Sequence, residues 1–302
     1  MALKTTAELM KWANKRKRAV CAFNVTNMEL VQAVTRTAKD AGVPVILQAT
    51  KSGFKYAGMD YMKALVDAAV KETGVDIALH LDHGDTFELC KHCIDNGFTS
   101  VMIDGSALPF EENVALTKQV VDYAHKRGVS VEGELGKIAG IEDHVEHAYS
   151  NYTDPDQAKE FVERTGVDML AVSIGTAHGA FKYKSDPQLR FDILEEIQKK
   201  IPNTPLVLHG ASSVTPADLF TIVEHGGNMK GALGVGEVVL AQTIKMGVRK
   251  INIDSDLRLG MTAAIRKYFT EKPDHFDPRQ YLAAARDHVA GVVKLKLETF
   301  SC

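Results

Sequence analysis

Short apolar runs alternate with amphipathic stretches along the whole chain. The apolar runs span residues 20–25, 45–50, 77–83, 100–104, 129–135, 169–178, 206–209 and 250–254. Helical periodicity is found at 28–41, 59–72, 86–96, 111–126, 156–165, 191–200, 216–224 and 278–297. Apolar strands separated by helices are typical of a parallel sheet buried on both faces. Eight such units in 302 residues predict an α/β fold, a (β/α)8 TIM barrel forming one domain over residues 1–302. An open doubly wound sheet is the alternative.

Composition and charge favour a soluble globular protein. Hydrophobic residues make up 45% of the chain and charged residues 25%. A formal net charge of -3 argues against a nucleic-acid surface, and no apolar run approaches the ~20 residues of a membrane span. The N-terminus lacks a signal-peptide core, and TAEL at 6–9 predicts a helix start instead. We therefore expect a cytoplasmic protein with neither nucleic-acid nor membrane partners.

The motif CKHC at 90–93 has the spacing of a redox or zinc site. It lies inside a predicted helix, where residues i and i+3 share one face. A second CxxC, which a structural zinc site would need, does not occur in the sequence. We predict that Cys90 and Cys93 are structural.

Polar residues stand at the end of every predicted strand. They are Asn24, Thr50, Asp82 with His83, Asp104, Glu134, His178, His209, and Asn252 with Asp254. The active site of a barrel lies at the C-terminal ends of its strands. Three histidines there suit an open zinc site with a free position for substrate, and the neighbouring Asp82 supplies a proton-transfer group. The pattern predicts a metal-dependent enzyme.

The connections after the last two strands favour a phosphate site. GASS at 210–213 follows the seventh strand, and Ser255 follows the eighth. Loops at these positions of a barrel commonly bind phosphate, and Gly179 and Gly210 would allow a close backbone approach. The long connections 136–155 and 180–187 are predicted to be lids or substrate loops. The glycine-rich segment 226–236 is predicted to be a plain loop.

Six motifs carry a resemblance to a known family. They are LHLDHG (79–84), SVMIDGS (100–106), VEGELG (131–136), GTAHG (175–179), LHGASS (208–213) and NIDSDLR (252–258). In this order, and over essentially the whole chain, they resemble the class II, metal-dependent fructose-bisphosphate aldolases. The short loops are similar to those of the type B branch.

The resemblance implies roles for the metal and catalytic residues. His83, His178 and His209 would hold a catalytic zinc ion. Asp82 would handle the proton of the substrate's C4 hydroxyl, Glu142 would be the base at C3 of dihydroxyacetone phosphate, and Asn252 would contact the enediolate. Asp104 and Glu134 match positions that can hold a second, buried metal location. Ala107 departs from the family, because type B members often have His there.

The resemblance also implies how the substrate is bound. Gly179, Lys182, Gly210, Ser212 and Ser255 would surround one phosphate, with a sodium or potassium ion nearby. Arg279, helped by Arg258, would reach the other phosphate from a neighbouring subunit, which implies a homodimer or homotetramer. Asn24 and Thr50 would also contact the substrate, and Asp254 would sense the region of C4.

The implied reaction is reversible cleavage of fructose 1,6-bisphosphate to dihydroxyacetone phosphate and glyceraldehyde 3-phosphate. Two alternatives remain at this point: a tagatose-1,6-bisphosphate aldolase with the same residues, and a zinc-dependent barrel hydrolase in which the metal activates water. A Schiff-base aldolase would need a lysine at a strand end. None of the predicted strand ends is Lys.

Overall fold

The computed structural model describes residues 3–142, 145–147, 151–181, 183 and 187–302, with the backbone alone at 139, 141–142 and 145–147. The strands are β1 (Val20–Asn24), β2 (Val45–Ala49), β3 (Ile77–Gly84), β4 (Ser100–Ile103), β5 (Ser130–Leu135), β6 (Ala139–Glu142), β7 (Val145–His147), β8 (Met169–Val172), β9 (Ala177–His178), β10 (Leu206–Leu208) and β11 (Val248–Ile253). Eight of them form a closed barrel in the order β1-β11-β10-β8-β5-β4-β3-β2, with every neighbouring pair parallel. The predicted TIM barrel is confirmed.

Helices follow the barrel strands and cover the outside of the barrel, and one further helix precedes the first strand. They are α1 (Thr6–Arg16), α2 (Met28–Ala41), α3 (Lys51–Ala57), α4 (Met59–Thr73), α5 (Phe87–Asp95), α6 (Phe110–His125), α7 (Pro155–Thr165), α8 (Phe191–Lys200), α9 (Pro216–Glu224), α10 (Glu237–Ile244), α11 (Ser255–Glu271) and α12 (Pro278–Phe300). The start of α1 at Thr6 agrees with the sequence pattern. Thr5 caps it in a capping box with Glu8. Within the described residues, we find no helix that is both long and apolar enough to cross a membrane.

The apolar core has two layers, because successive side chains of each strand point to opposite faces. Leu47, Leu79 and Val101 belong to the large cluster between the barrel and its helices, whereas Ile46 and Ala78 belong to the small cluster inside the barrel. Helix α1 adds Leu9, Met10 and Ala13 to the inner cluster.

Helix α1 covers the N-terminal end of the barrel. The Thr6 hydroxyl lies 2.7 Å from the hydroxyls of Ser100 and Ser130, the first residues of β4 and β5. With this end covered, a site inside the barrel must open at the C-terminal end.

The predicted strand 169–178 is wrong as a single element. The barrel strand β8 ends at Val172, and Gly175, at a φ of +108°, lies in the turn that follows. His178 belongs instead to β9, which pairs with β6 in a small sheet of order β7-β6-β9. The connection 136–155 therefore contains strands as well as loop. Its low apolar content did not predict these strands, but its backbone pairs with β9.

Cys90 and Cys93 lie buried on α5 and are free thiols. Burial raises the pKa of the Cys93 thiol to about 12. A high pKa leaves little thiolate, so the pair is poorly suited to redox chemistry or metal binding. The structure agrees with the structural role predicted for both.

We expect an ion pair between α9 and α12 to make the stability pH-dependent. His288 Nε2 lies 2.6 Å from the Asp218 carboxylate, and this hydrogen bond raises the pKa of His288. A raised folded-state pKa means that the stabilisation is complete below the unfolded pKa, about 6.5, and is lost as pH rises through the folded pKa. The His288 side chain is 42% exposed, so solvent screening limits the contribution to about 1 kcal/mol or less.

We expect His288→Gln to lower the thermal midpoint at pH 6 and to leave it close to the parent's at pH 9, because glutamine keeps a donor but cannot carry the charge. Thermal denaturation of parent and variant at the two pH values measures this difference. An equal difference at both pH values would show that the charge of His288 does not matter.

Candidate active site

A β-bulge at the end of β3 brings two consecutive side chains into one site. Leu81 pairs with Val101 of β4 and Gly84 pairs with Ile103, so Asp82 and His83 together lie opposite one residue. In a regular strand these neighbours would point to opposite faces, and a bulge re-aims one of them. His83 has a φ of +49°, which non-glycine residues rarely adopt. Backbone strain of this kind clusters at functional sites.

The structure brings together His83, His178 and His209. Each offers a ring nitrogen, and these nitrogens lie within 4.8 Å of one another. The ring centroids are 4.7 Å apart for His83 and His209, 5.2 Å for His83 and His178, and 6.1 Å for His178 and His209. Three imidazoles converging from β3, β9 and the end of β10 form a donor set that suits zinc.

Carboxylates orient the imidazoles of His83 and His209. Asp104 Oδ2 lies 3.0 Å from His83 Nδ1, and Glu132 Oε1 lies 2.7 Å from His209 Nε2. A carboxylate bound to one ring nitrogen determines which nitrogen faces a metal and raises its basicity. Nε2 of His83 and Nδ1 of His209 are therefore the nitrogens turned toward the cluster.

The electrostatics of the cluster favour a cation. Burial by itself would raise the pKa of Asp104, but hydrogen bonds with His83 and Ser106 hold it well below its usual range. Burial by itself would lower the pKa of His209, but the Glu132 and Glu134 carboxylates raise it to about 9. The same carboxylates place negative charge beside the cluster, and a metal ion bound to His209 would have to displace its proton.

A second candidate group shares His83 with the first. Ligand atoms of His83, Asp104 and Glu134 lie within 4.8 Å of one another. Glu134 Oε2 also lies 3.1 Å from His209 Nδ1. The predicted buried metal location therefore has one imidazole and two carboxylates near enough to ligate an ion.

Glu132 and Lys250 are functional candidates that the sequence analysis missed. Lys250 Nζ lies 2.8 Å from Glu132 Oε2, and both side chains are fully buried inside the barrel. Burial and the nearby Lys250 lower the pKa of His80 well below its usual value, and His80 lies 2.7 Å from the Ser100 hydroxyl. A signal existed for Glu132, because it lies two residues before Glu134 and so shares its face of β5.

Asp82 is held by three amide side chains. Asn24 and Gln48 donate to Asp82 Oδ2 at 2.8 and 3.1 Å, and Asn252 donates to Oδ1 at 3.1 Å. Gln48 also donates to Asn24 Oδ1 at 2.7 Å. The fully buried carboxylate is thereby fixed in orientation beside His83. Gln48 lies within β2 rather than at its end, so its strand position does not predict a place in the site.

The predicted phosphate residues after β10 and β11 lie next to each other. Asp254 N–H donates to the Ser212 hydroxyl at 3.3 Å, and Ser255 begins α11. A Cβ atom at Gly210 would lie 2.6 Å from the backbone of Ala177, so the loop approaches the His178 strand as only glycine allows. Gly179 follows that strand with a φ of +85°. Arg258 donates to Asp254 at 2.8 Å.

Comparison with known proteins identifies the family. A model of the family described as fructose-bisphosphate aldolase class-II matches residues 4–302. The chain belongs to the class II fructose-bisphosphate aldolase family. Named fructose-bisphosphate aldolases of Treponema pallidum and Giardia intestinalis are each 48% identical to it, over 96% and 99% of this chain and 93% of each relative. The crystal structure of the YdjI aldolase from Escherichia coli K12 is 30% identical and has a TM-score of 0.79, covering 100% of this chain and 98% of that one.

Two further predicted residues of this class II aldolase, Thr50 and Arg279, make contacts of their own, and others lie outside the described residues. The Thr50 hydroxyl caps α3 by accepting from Gly53 N–H at 3.3 Å. The Arg279 side chain is 89% exposed and pairs with Asp277. Lys182 and the side chain of Glu142 lie outside the described residues.

The strand that carries Glu142 is attached to the strand that carries His178. Gly140 of β6 pairs with His178 of β9, and a Cβ atom at Gly140 would lie 2.3 Å from the His178 carbonyl oxygen. This backbone pairing places β6 of the class II aldolase beside the histidine cluster.

Proposed function

We propose that this chain, as one catalytic domain over residues 1–302, reversibly cleaves fructose 1,6-bisphosphate to dihydroxyacetone phosphate and glyceraldehyde 3-phosphate. Such a lyase serves glycolysis and gluconeogenesis in the cytoplasm. One observation carries the proposal: in a class II aldolase barrel, three histidines converge beside an Asp82 carboxylate that three amides hold in place. The four free cysteines suit a reducing compartment.

The metal is proposed to be zinc, held by His83, His178 and His209. A zinc ion bound there would supply Lewis-acid polarisation of the substrate's carbonyl group. Asp104 and Glu132 orient the imidazoles that hold it. Asp104 and Glu134, with His83, are proposed to form a second metal position.

Asp82 and Glu142 are proposed to move the protons. In cleavage, Asp82 accepts the proton of the C4 hydroxyl, the C3–C4 bond breaks, and C4 leaves as the aldehyde carbon. The bonding electrons stay at C3, where Glu142 delivers a proton to give dihydroxyacetone phosphate. Asn252, which donates to Asp82 at 3.1 Å, is proposed to contact the enediolate as well.

The remaining predicted residues are proposed to bind the substrate. Gly179, Lys182, Gly210, Ser212 and Ser255 surround one phosphate with a sodium or potassium ion, while Asn24 and Thr50 line the site. Arg279, helped by Arg258, reaches the substrate's other phosphate in the active site of a neighbouring subunit, which requires a homodimer or homotetramer. The high exposure of Arg279 supports a role outside its own barrel. The family and the named relatives are described as fructose-bisphosphate aldolases, so they support neither of the two alternatives, the tagatose enzyme and the hydrolase.

The substrate is tested by a coupled assay with the two ketose bisphosphates, which differ only at C4. We expect a higher kcat/KM for fructose 1,6-bisphosphate. Asp254→Ala should reduce that preference by about tenfold, since a hydrogen bond to one epimer contributes on the order of 1–3 kcal/mol. Asp192 lies on α8 and forms an exposed ion pair with Arg190. Asp192→Ala breaks this pair, serves as the matched control and should leave the preference unchanged. Equal or better use of the tagatose epimer by the parent would refute the proposed substrate.

A further inference from the structure

In the proposed phosphate loop, residues 210–214, one buried carboxylate accepts hydrogen bonds from two backbone N–H groups. Asp256, fully buried in the first turn of α11, accepts Ser213 N–H at 3.0 Å and Val214 N–H at 2.7 Å. Val214 has a φ of +54°, a conformation that a β-branched residue adopts only when its surroundings impose it. The two hydrogen bonds to Asp256 help to hold the chain in this turn.

A buried lysine from the last helix completes this arrangement. Lys296 of α12 lies with Nζ 2.8 Å from Asp256 Oδ2 and 2.9 Å from Glu237 Oε1, and it also donates to the Ser213 hydroxyl. Its side chain is almost completely buried. Burial by itself would lower the pKa of Lys296, but Asp256 and Glu237 outweigh this effect and raise it, so the ammonium group is charged.

The loop is also enclosed on its remaining sides. Val235 N–H donates to the Ser212 carbonyl at 3.3 Å, and Asp254 N–H donates to the Ser212 hydroxyl at 3.3 Å. A Cβ atom at Gly234 would lie 2.3 Å from the Ser213 carbonyl carbon, so the segment 226–236 packs directly on the loop. The loop is therefore in contact with the start of α11, with Lys296 of α12 and with the segment 226–236.

We propose that Asp256 and Lys296 are positioning residues for the substrate's phosphate. Asp256 sets the turn that presents Gly210 and Ser212, and Lys296 neutralises the Asp256 carboxylate, which would otherwise repel a phosphate dianion. A loop held in its binding conformation before the ligand arrives loses less entropy on binding. This inference rests on the proposed function for the identity of the ligand, and it assigns to the C-terminal part of the last helix a role in substrate affinity within its own subunit.

The test compares Asp256→Asn, Lys296→Met and Lys296→Arg with the parent. We expect Asp256→Asn and Lys296→Met to raise KM for fructose 1,6-bisphosphate by about tenfold to 10²-fold, as for lost hydrogen bonds to a charged group. kcat should change by less than about threefold and bound zinc should match the parent, because neither residue contacts the histidine cluster. Lys296→Arg should recover most of the affinity. Inorganic phosphate, titrated by calorimetry, should bind more weakly in the same order.

Asp218→Asn is the matched control, since it removes another buried carboxylate that pairs with α12 but is bonded to His288 rather than to the loop. Its KM should equal the parent's. A lower kcat with unchanged KM and unchanged phosphate binding would overturn the inference. If Lys296→Met fails to fold, as shown by circular dichroism, Asp256→Asn and the arginine variant decide it. A parent that binds phosphate without cleaving fructose 1,6-bisphosphate would refute the proposed function. The phosphate titrations of the variants would then still test the positioning role of Asp256 and Lys296.

Discussion

Removal of the bound metal is expected to abolish aldol cleavage. A Lewis acid at the carbonyl contributes several kcal/mol to the transition state, and each 1.36 kcal/mol changes the rate about tenfold, so the loss should be on the order of 10³-fold or more. Added zinc or cobalt should restore the chelated parent. His178→Ala should lose both bound metal and activity, because it removes one of three nitrogens that lie within 4.8 Å of one another. The measurements are cleavage rate and bound metal by mass spectrometry.

Glu132→Gln provides a graded comparison for the same prediction. It keeps all three histidines but removes the carboxylate that lies 2.7 Å from His209 Nε2. Zinc affinity should fall about 10- to 100-fold, and excess zinc should restore activity. Borohydride added with substrate should trap no covalent adduct. Full activity in chelator, together with such an adduct, would rule out the metal-dependent reaction.

The second large effect distinguishes the two carboxylates proposed to move protons. Asp82→Ala should nearly abolish cleavage while retaining some exchange of the C3 proton of dihydroxyacetone phosphate with solvent. Glu142→Ala should depress both, because cleavage and condensation pass through the same enediolate. Each loss should be about 10²-fold or more, as for a missing general acid or base. The measurement is deuterium uptake into dihydroxyacetone phosphate, beside cleavage rate and bound zinc.

Two controls sharpen this comparison. Asp85→Ala removes an exposed carboxylate three residues beyond Asp82, paired with Lys51 at 2.6 Å, and should change neither rate. Bound zinc in the Glu142 variant should stay near the parent's, since Glu142 is not proposed as a ligand. Fast exchange in the Glu142 variant with none in the Asp82 variant would reverse the two assignments.

The strands of the barrel were largely predictable because their apolar runs are local patterns. The ends of the predicted strands agree with the barrel to within one or two residues, except at 169–178, where the run contains a turn. That exception matters for the site. The apolar run from Met169 to His178 has no polar interruption long enough to mark the end of β8, and only the pairing of His178 with Gly140 shows that it lies in a different sheet.

Local residue order was enough to predict the barrel as the leading fold, the three histidines and the acid beside the first of them, because periodicity and strand-end position are local patterns. Which side chains meet depends on the folded chain. Asp82 and His83 face one site only because β3 bulges against β4, and that bulge depends on the register between two strands. Gln48, Glu132, Lys250 and Lys296 became relevant only on folding, since each acts through a partner distant in sequence. Such pairings reflect the closure of the barrel and the packing of α12, which no local pattern encodes.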